Sequence, residues 1–292
     1  MRRLLSAFAI ASCLLISLMS GNAAAEPVKI KFTLDWKLQG IHAWYYWAKA
    51  KGYFAAENLD VRIDQGEGSA ATVTRIMSGA YDAGFGDINA IIFKLLPLLA
   101  KQNGIDYSKI NITQLSPSLQ EQMLLQGQVD SVAVFTATSY MNLVSLKLDP
   151  DKDFRWMYYS DLGLDLSNGI MVSPKLAREH PEAVKGLLRA INRSLKETVE
   201  NPDAAIALLA TEEPLIKNDV ERRRLLYVYQ TLIDTPETRE LGIGEVSDIR
   251  LKSAIATIAT SFELPRLPNP GDIFDHAFLP AKAERIPPEI AP

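Results

Sequence analysis

The sequence predicts an α/β protein of two lobes around mostly parallel sheet, and three observations carry that expectation. Between residues 28 and 87, stretches of strand periodicity alternate with stretches of helical periodicity, the pattern of strands covered by helices on both faces. A unit of helix, glycine, aspartate and strand occurs twice, after Ser69 and after Ser118. The 292 residues exceed one modal domain, and 48% hydrophobic content can fill one large core or two medium ones.

Taken in order, Val28 to Leu34 alternates apolar residues with lysines and threonine and reads as the first strand, ending at Asp35-Trp36. A helix follows from about His42 to Lys51 and is closed by Gly52. Leu59 to Ile63 alternates as a second strand. The loop Asp64-Gln65-Gly66-Glu67-Gly68 then leads to Ser69, a good helix N-cap. Ala70, Val73, Ile76 and Met77 form one stripe of the helix that ends at Gly79, and Ala83 to Phe85 is a third strand. In the echo of this unit, Ser118 forms a capping box with Glu121, the helix ends at Gly127, and Val132 to Phe135 is a strand. Two copies are too few for a solenoid and fit two similar lobes.

Beyond Val172 the pattern turns helical. Pro181 suits a first turn, and Val184, Leu187, Leu188, Ile191 and Leu195 share one face. Asn201-Pro202-Asp203 breaks that helix, and another spans about Asp219 to Leu232, with Arg222 to Arg224 read as a solvated face. From Pro265 onward lie seven of the sixteen prolines, which suits an extended tail wrapped over the surface.

At the N-terminus, Arg2 and Arg3 precede an apolar run from Leu4 to Met19 and the small residues Ala23-Ala24-Ala25. This is the pattern of a secretory signal, residues 1–25, with cleavage after Ala25 and a periplasmic destination. The run falls short of the ~20 apolar residues that span a bilayer. Ile10-Ala11-Ser12-Cys13 offers the alternative of lipoprotein processing at Cys13. Cleavage after Ala25 removes the only cysteine, which excludes disulfides, thiolate metal sites and a cysteine nucleophile. It also takes the formal charge from −4 to −6, and no basic stripe marks a nucleic-acid partner.

Candidate binding residues gather at strand ends. Asp35, Trp36 and His42 flank the turn after the first strand, where open α/β sheets bind ligands. A carboxylate beside an indole can accept from an amino group while the ring stacks on a flat ligand. Trp44 and Trp47, one turn apart, are packing residues, and Trp36 is the better ligand candidate. Gly68 and Ser69 open the next helix, whose free N–H groups could receive an anion or acceptor, or form only a tight turn. Gly66-Glu67-Gly68-Ser69-Ala70-Ala71 is a poor dinucleotide loop, because Glu67 would face the pyrophosphate and alanine stands at the third glycine. In the second half, Tyr158 to Gly169 contributes Asp161 and Asp165 among aromatics and glycines. The three histidines are far apart, and no catalytic or metal-binding spacing is present, so the expectation is binding without a cofactor.

Residues 32–87, FTLDWKLQGIHAWYYWAKAKGYFAAENLDVRIDQGEGSAATVTRIMSGAYDAGFGD, resemble the opening of the solute-binding family that serves thiamine-pyrimidine precursors, alkanesulfonates, taurine and nitrate. The resemblance continues through LQEQMLLQGQVDSVAVF (119–135) and DLGLDLSNGIMVSPKLA (161–177). It implies a two-lobe periplasmic-binding-protein fold of type II, with lobe one from 26–92 plus 173–292 and lobe two from 93–172. It also implies a small-molecule ligand between lobes, carried by a monomer to an inner-membrane ABC permease and its ATPase. The positions that match the family's site are Asp35, Trp36, Gly68, Ser69, Asp161 and Asp165. A heteroaromatic amine such as an aminopyrimidine fits an indole and carboxylates; a sulfonate, taurine or nitrate on the Gly68–Ser69 terminus is the alternative. The family also contains a thiamine pyrimidine synthase that donates a histidine to its product; His42 stands at that position, but the enzyme's cysteine motif is missing. After Ile92 the sequence departs from the family, as if several tens of residues of lobe one, the hinge and early lobe two were absent.

Overall fold

The computed structural model describes residues 25–87, 95–164 and 168–290. Residues 1–24, including Cys13, and Asp165 lie outside the described residues, as does the departure after Ile92. Among the described residues no helix is long and apolar enough to cross a membrane.

One four-stranded sheet organises the chain in the order β2-β1-β3-β4. β1 (Val28–Thr33) pairs in parallel with β2 (Leu59–Asp64) and β3 (Ala83–Asp87). β4 (Asn168–Val172) closes the edge antiparallel to β3, with Asp87 opposite Asn168. The central strand alternates at its start and becomes continuously buried from Phe32 through Leu34, as a strand covered on both faces requires.

α1 (Ala43–Ala50), entered through a 3-10 turn at Gly40–His42, is buried over Ala43 to Ala48, and Trp44 and Trp47 are core as expected. α2 (Ser69–Met77) returns the chain to β3. The sequence assigned Ser69 as N-cap, but Gly68 holds that position at φ 116°, and the Ser69 hydroxyl instead accepts the Asp87 N–H at 3.0 Å. Residues 95–164 carry α3 (Leu96–Gln102), α4 (Gln120–Leu125) and α5 (Thr136–Ser145), but no strand among the described residues. Residues 132–135, expected as a strand, form no ladder. Among the described residues no strand lies beside them, so their alternation has nothing to pair with. The Ser118 capping box does not form either: its hydroxyl meets that of Ser116, while Glu121 accepts from Ser139 and Asn142.

The helical half follows its periodicity. α6 (Pro181–Glu200) buries Val184, Leu187, Ile191 and Leu195 against α1, and the Ser194 hydroxyl donates to the Trp44 carbonyl. α7 (Pro202–Glu212) and α8 (Asn218–Val228) complete that layer, and α9 (Asp248–Ser261) builds a small separate cluster with Leu95 and Leu164. Arg224 corrects the reading of a solvated face. It is 2% exposed, because the residues at Glu221, Arg224, Leu225 and Val228 occupy the inward spacing of α8. The tail wraps the surface: Ile243 donates to the Arg285 carbonyl, and the Tyr229 hydroxyl donates to the Pro288 carbonyl at 2.5 Å.

Candidate functional site

The carboxyl ends of β1 and β2 meet in one hydrogen-bonded assembly. The Asp35 carbonyl accepts the Gly68 N–H at 2.6 Å, and the Trp36 carbonyl accepts that of Gly66 at 3.0 Å. A Cβ on Gly66 would lie 2.1 Å from the Leu34 carbonyl oxygen, so only glycine lets these two loops close on each other.

Both oxygens of Asp35 are engaged. One accepts from His42 Nε2 at 2.9 Å, the other from the Asn168 side-chain amide at 3.0 Å. The Nδ1 of His42 accepts the Gln39 N–H at 3.0 Å, which leaves the imidazole proton on Nε2, facing Asp35. His42 is fully buried and packs edge-on against Phe85. Asp35 and His42 therefore fasten the first turn to the edge strand β4.

Beside that clamp is an open cleft of about 400 Å³. Trp36 and Gln65 reach it from the two sheet loops, Asn142 and Ser145 from α5, and Glu213 and Lys217 from the connection before α8. Its back wall is Glu221 with Arg224. Glu221 accepts the Gly40 N–H at 2.6 Å and pairs with Arg224 at 2.9 Å. Arg224 also donates to the carbonyls of Ala137 and Thr138 and to the Asn142 side-chain oxygen. Its donors are thus spent on structure, holding α5 against α8.

Of the residues expected from sequence, Trp36, half-buried, lines this cleft. Asp35 and His42 stand together behind it, and Gly68 and Ser69 are committed to the Asp35 carbonyl and the Asp87 amide. Asp161 is elsewhere: it is exposed in the 3-10 turn Tyr159–Leu162, and its carbonyl accepts from Gln102. Gln39, Asn168, Glu221 and Arg224 join the site without being among the residues that the sequence places there. For the last two, the available signal was an opposite-charge pair at i, i+3 on the inward stripe of a helix.

A parallel sheet with an antiparallel edge, helices on both faces and a cleft at the strand carboxyl ends is the architecture of a periplasmic binding protein. A family model described as NMT1/THI5 like matches residues 39–95 and 93–205, more than half of the chain, and the protein belongs to that family. The two matched stretches overlap at residues 93–95, beside the departure expected after Ile92. The alkanesulfonate-binding protein SsuA of Xanthomonas axonopodis pv. citri, bound to MOPS, is similar at TM-score 0.59 and 15% identity, over 85% of this chain and 96% of its own. SsuA of Escherichia coli, a periplasmic aliphatic sulphonate binding protein, is similar at TM-score 0.53 and 13% identity, over 82% and 95%. The ligand-binding component of an ABC-type import system of Staphylococcus aureus, with zinc bound, is similar at TM-score 0.59 and 10% identity, over 86% and 97%. No curated protein sequence matches the chain.

Proposed function

We propose that the protein is the extracytoplasmic solute-binding component of an ABC importer, and that its ligand is a small heteroaromatic amine such as an aminopyrimidine thiamine precursor. Trp36 carries this reading, since a half-buried indole at the rim of a cleft rewards a flat ring. The amino group finds acceptors on the same cleft in Glu213 and Gln65, whereas Asp35 serves as support with both oxygens already bonded. In this proposal residues 26–92 and 173–292 form lobe one, and 93–172 form a shortened lobe two that lends β4 to the first sheet. A monomer would deliver the ligand to the permease and ATPase.

A sulfonate or related anion is the second reading, favoured by Lys37 and Lys217 on the cleft, neither in an ion pair among the described residues. Binding is preferred over the synthase chemistry because His42 is buried with both ring nitrogens occupied. A thermal-shift panel of aminopyrimidines, thiamine, taurine, alkanesulfonates and nitrate tests the proposal. Ligand at a hundred times its dissociation constant stabilises by ~2.7 kcal/mol. Stabilisation by taurine or alkanesulfonates and by no pyrimidine selects the second reading. Loss of mass at His42 on incubation with iron and pyridoxal phosphate, with release of a pyrimidine, overturns the choice of binding.

A further inference from the structure

The sequence RWMYYSD places Trp156 and Tyr158 at i and i+2 of an extended segment, so both rings emerge on one side of the chain. Their planes lie within 11° of each other, with centroids 6.3 Å apart. The row continues through Tyr140 on α5, 6.2 Å from Trp156, to Tyr227 at the end of α8, which stacks on Tyr140 at 4.6 Å and 12°. Trp156 is pinned by donation of its indole N–H to the Pro150 carbonyl at 2.8 Å. None of these four residues lines the cleft beside Trp36.

The outer member, Tyr158, is 43% exposed, and its carbonyl accepts the Asp161 N–H at 3.2 Å. Its phenol is pushed above its ordinary value by burial first, and then by the charges of Asp151 and Asp161. The Asp151 carboxylate accepts the Tyr140 hydroxyl at 2.7 Å, an arrangement that pushes the Tyr140 phenol up to about 12. Among the described residues neither Asp151 nor Asp161 forms an ion pair: the neighbouring Lys152 feels the charge of Asp151 but is bonded to Asp149 at 2.5 Å. The negative face of an aromatic ring and an unpaired carboxylate attract the same kind of group, a poorly hydrated cation.

The geometry points to a second binding site on Tyr158, between Asp151 and Asp161, for a small organic cation of the quaternary ammonium class. Charge complementarity selects the occupant: a neutral ring would gain the stacking but leave both carboxylates without an ion-pair partner, and an anion would be repelled. Lys and Arg side chains of a partner carry more strongly hydrated or fork-shaped heads, whereas a methylated ammonium presents low-hydration charge to the ring face.

Choline is the probe, and 3,3-dimethylbutan-1-ol, nearly the same shape without the charge, is its control; binding is read by calorimetry on the full chain. Choline binding is expected to weaken on the order of fivefold in Tyr158→Ala and to be retained in Tyr158→Phe, since the ring face and not the hydroxyl is used. Asp161→Asn is expected to weaken it a few-fold at low salt, with the difference shrinking as salt rises. Trp36→Ala is expected to leave choline binding unchanged, which separates this site from the cleft. Equal binding of the neutral isostere, no heat with choline up to tens of millimolar, or indifference to Tyr158→Ala in a normally folded variant each overturns the assignment.

Discussion

The Glu221 carboxylate reaches across from α8 to accept the backbone N–H of Gly40 at 2.6 Å, while Arg224, one helical turn on, holds that same carboxylate at 2.9 Å. Two chain segments 181 residues apart are joined at the back of the cleft by a buried ion pair that also anchors α5. Removing only one member strands the other: Arg224→Ala is expected to cost about 3–5 kcal/mol in urea unfolding. Replacing both, as in Glu221→Gln with Arg224→Met, is expected to cost less than Arg224→Ala alone. A single-variant loss under 1 kcal/mol would show that the pair does not organise this wall.

Close approach of backbones makes Gly40 and Gly66 irreplaceable by even a methyl group. A Cβ on Gly40 would sit 2.0 Å from the Glu221 carbonyl oxygen, and one on Gly66 would sit 2.1 Å from that of Leu34. Both obstacles are main chain and cannot rotate away. Gly66→Ala is expected to lose at least about 1–3 kcal/mol, the usual range for overpacking. Gly271→Ala, with open space around it, serves as the control in the same denaturation series.

Glu197 gives the fold a dependence on acid. Burial alone would raise its carboxyl, but hydrogen bonds from Tyr53, Trp47 and Arg193 outweigh that and hold it below its ordinary value. The depressed folded-state value means that its stabilisation is present in full above the ordinary carboxyl range and is lost as the pH falls toward the folded-state value. The difference in unfolding free energy between wild type and Glu197→Gln should therefore shrink between neutral and strongly acidic pH. A constant difference across that window would contradict the assignment.

For the ligand, Trp36→Ala is expected to weaken the compound that stabilises the protein in the thermal-shift panel by roughly tenfold, from lost stacking and lost buried area together. The melting temperature of the unliganded protein should change little, because Trp36 lies outside the main core. Asn168→Leu tests the clamp behind it. That change leaves Asp35 short of one donor and is expected to cost about 1–3 kcal/mol of stability. Its effect on ligand affinity should be smaller than that of Trp36→Ala.

The parts of the fold legible in the sequence are those whose periodicity is answered locally. β1, β2, α1 and α6 carry their own apolar spacing, and the structure places them within a residue or two of that reading, α6 running on to its break at Asn201. Residues 132–135 have the alternation of a strand and, among the described residues, no neighbour to bond with, since register and pairing reside in the partner and not in the segment. Trp36 was recognised by its place at a strand end. Arg224 was misread because charge type outweighed position: on the inward stripe of α8 it is surrounded by carbonyls, and those acceptors lie 82 to 87 residues away in sequence. The resemblance puts Asp161 at the cleft, and its turn instead packs with α3 and α9.

The clasp at the chain's end bears on how the helical layer is held. Tyr229, fully buried, sends its hydroxyl to the Pro288 carbonyl, and Arg285 is enclosed with its guanidinium on Glu245. Without those residues the buried Tyr229 hydroxyl loses the Pro288 carbonyl, and the Glu245 carboxylate keeps, among the described residues, only His276, at 2.6 Å. The helical layer is thereby held by a segment that lies 40 to 59 residues further along the chain.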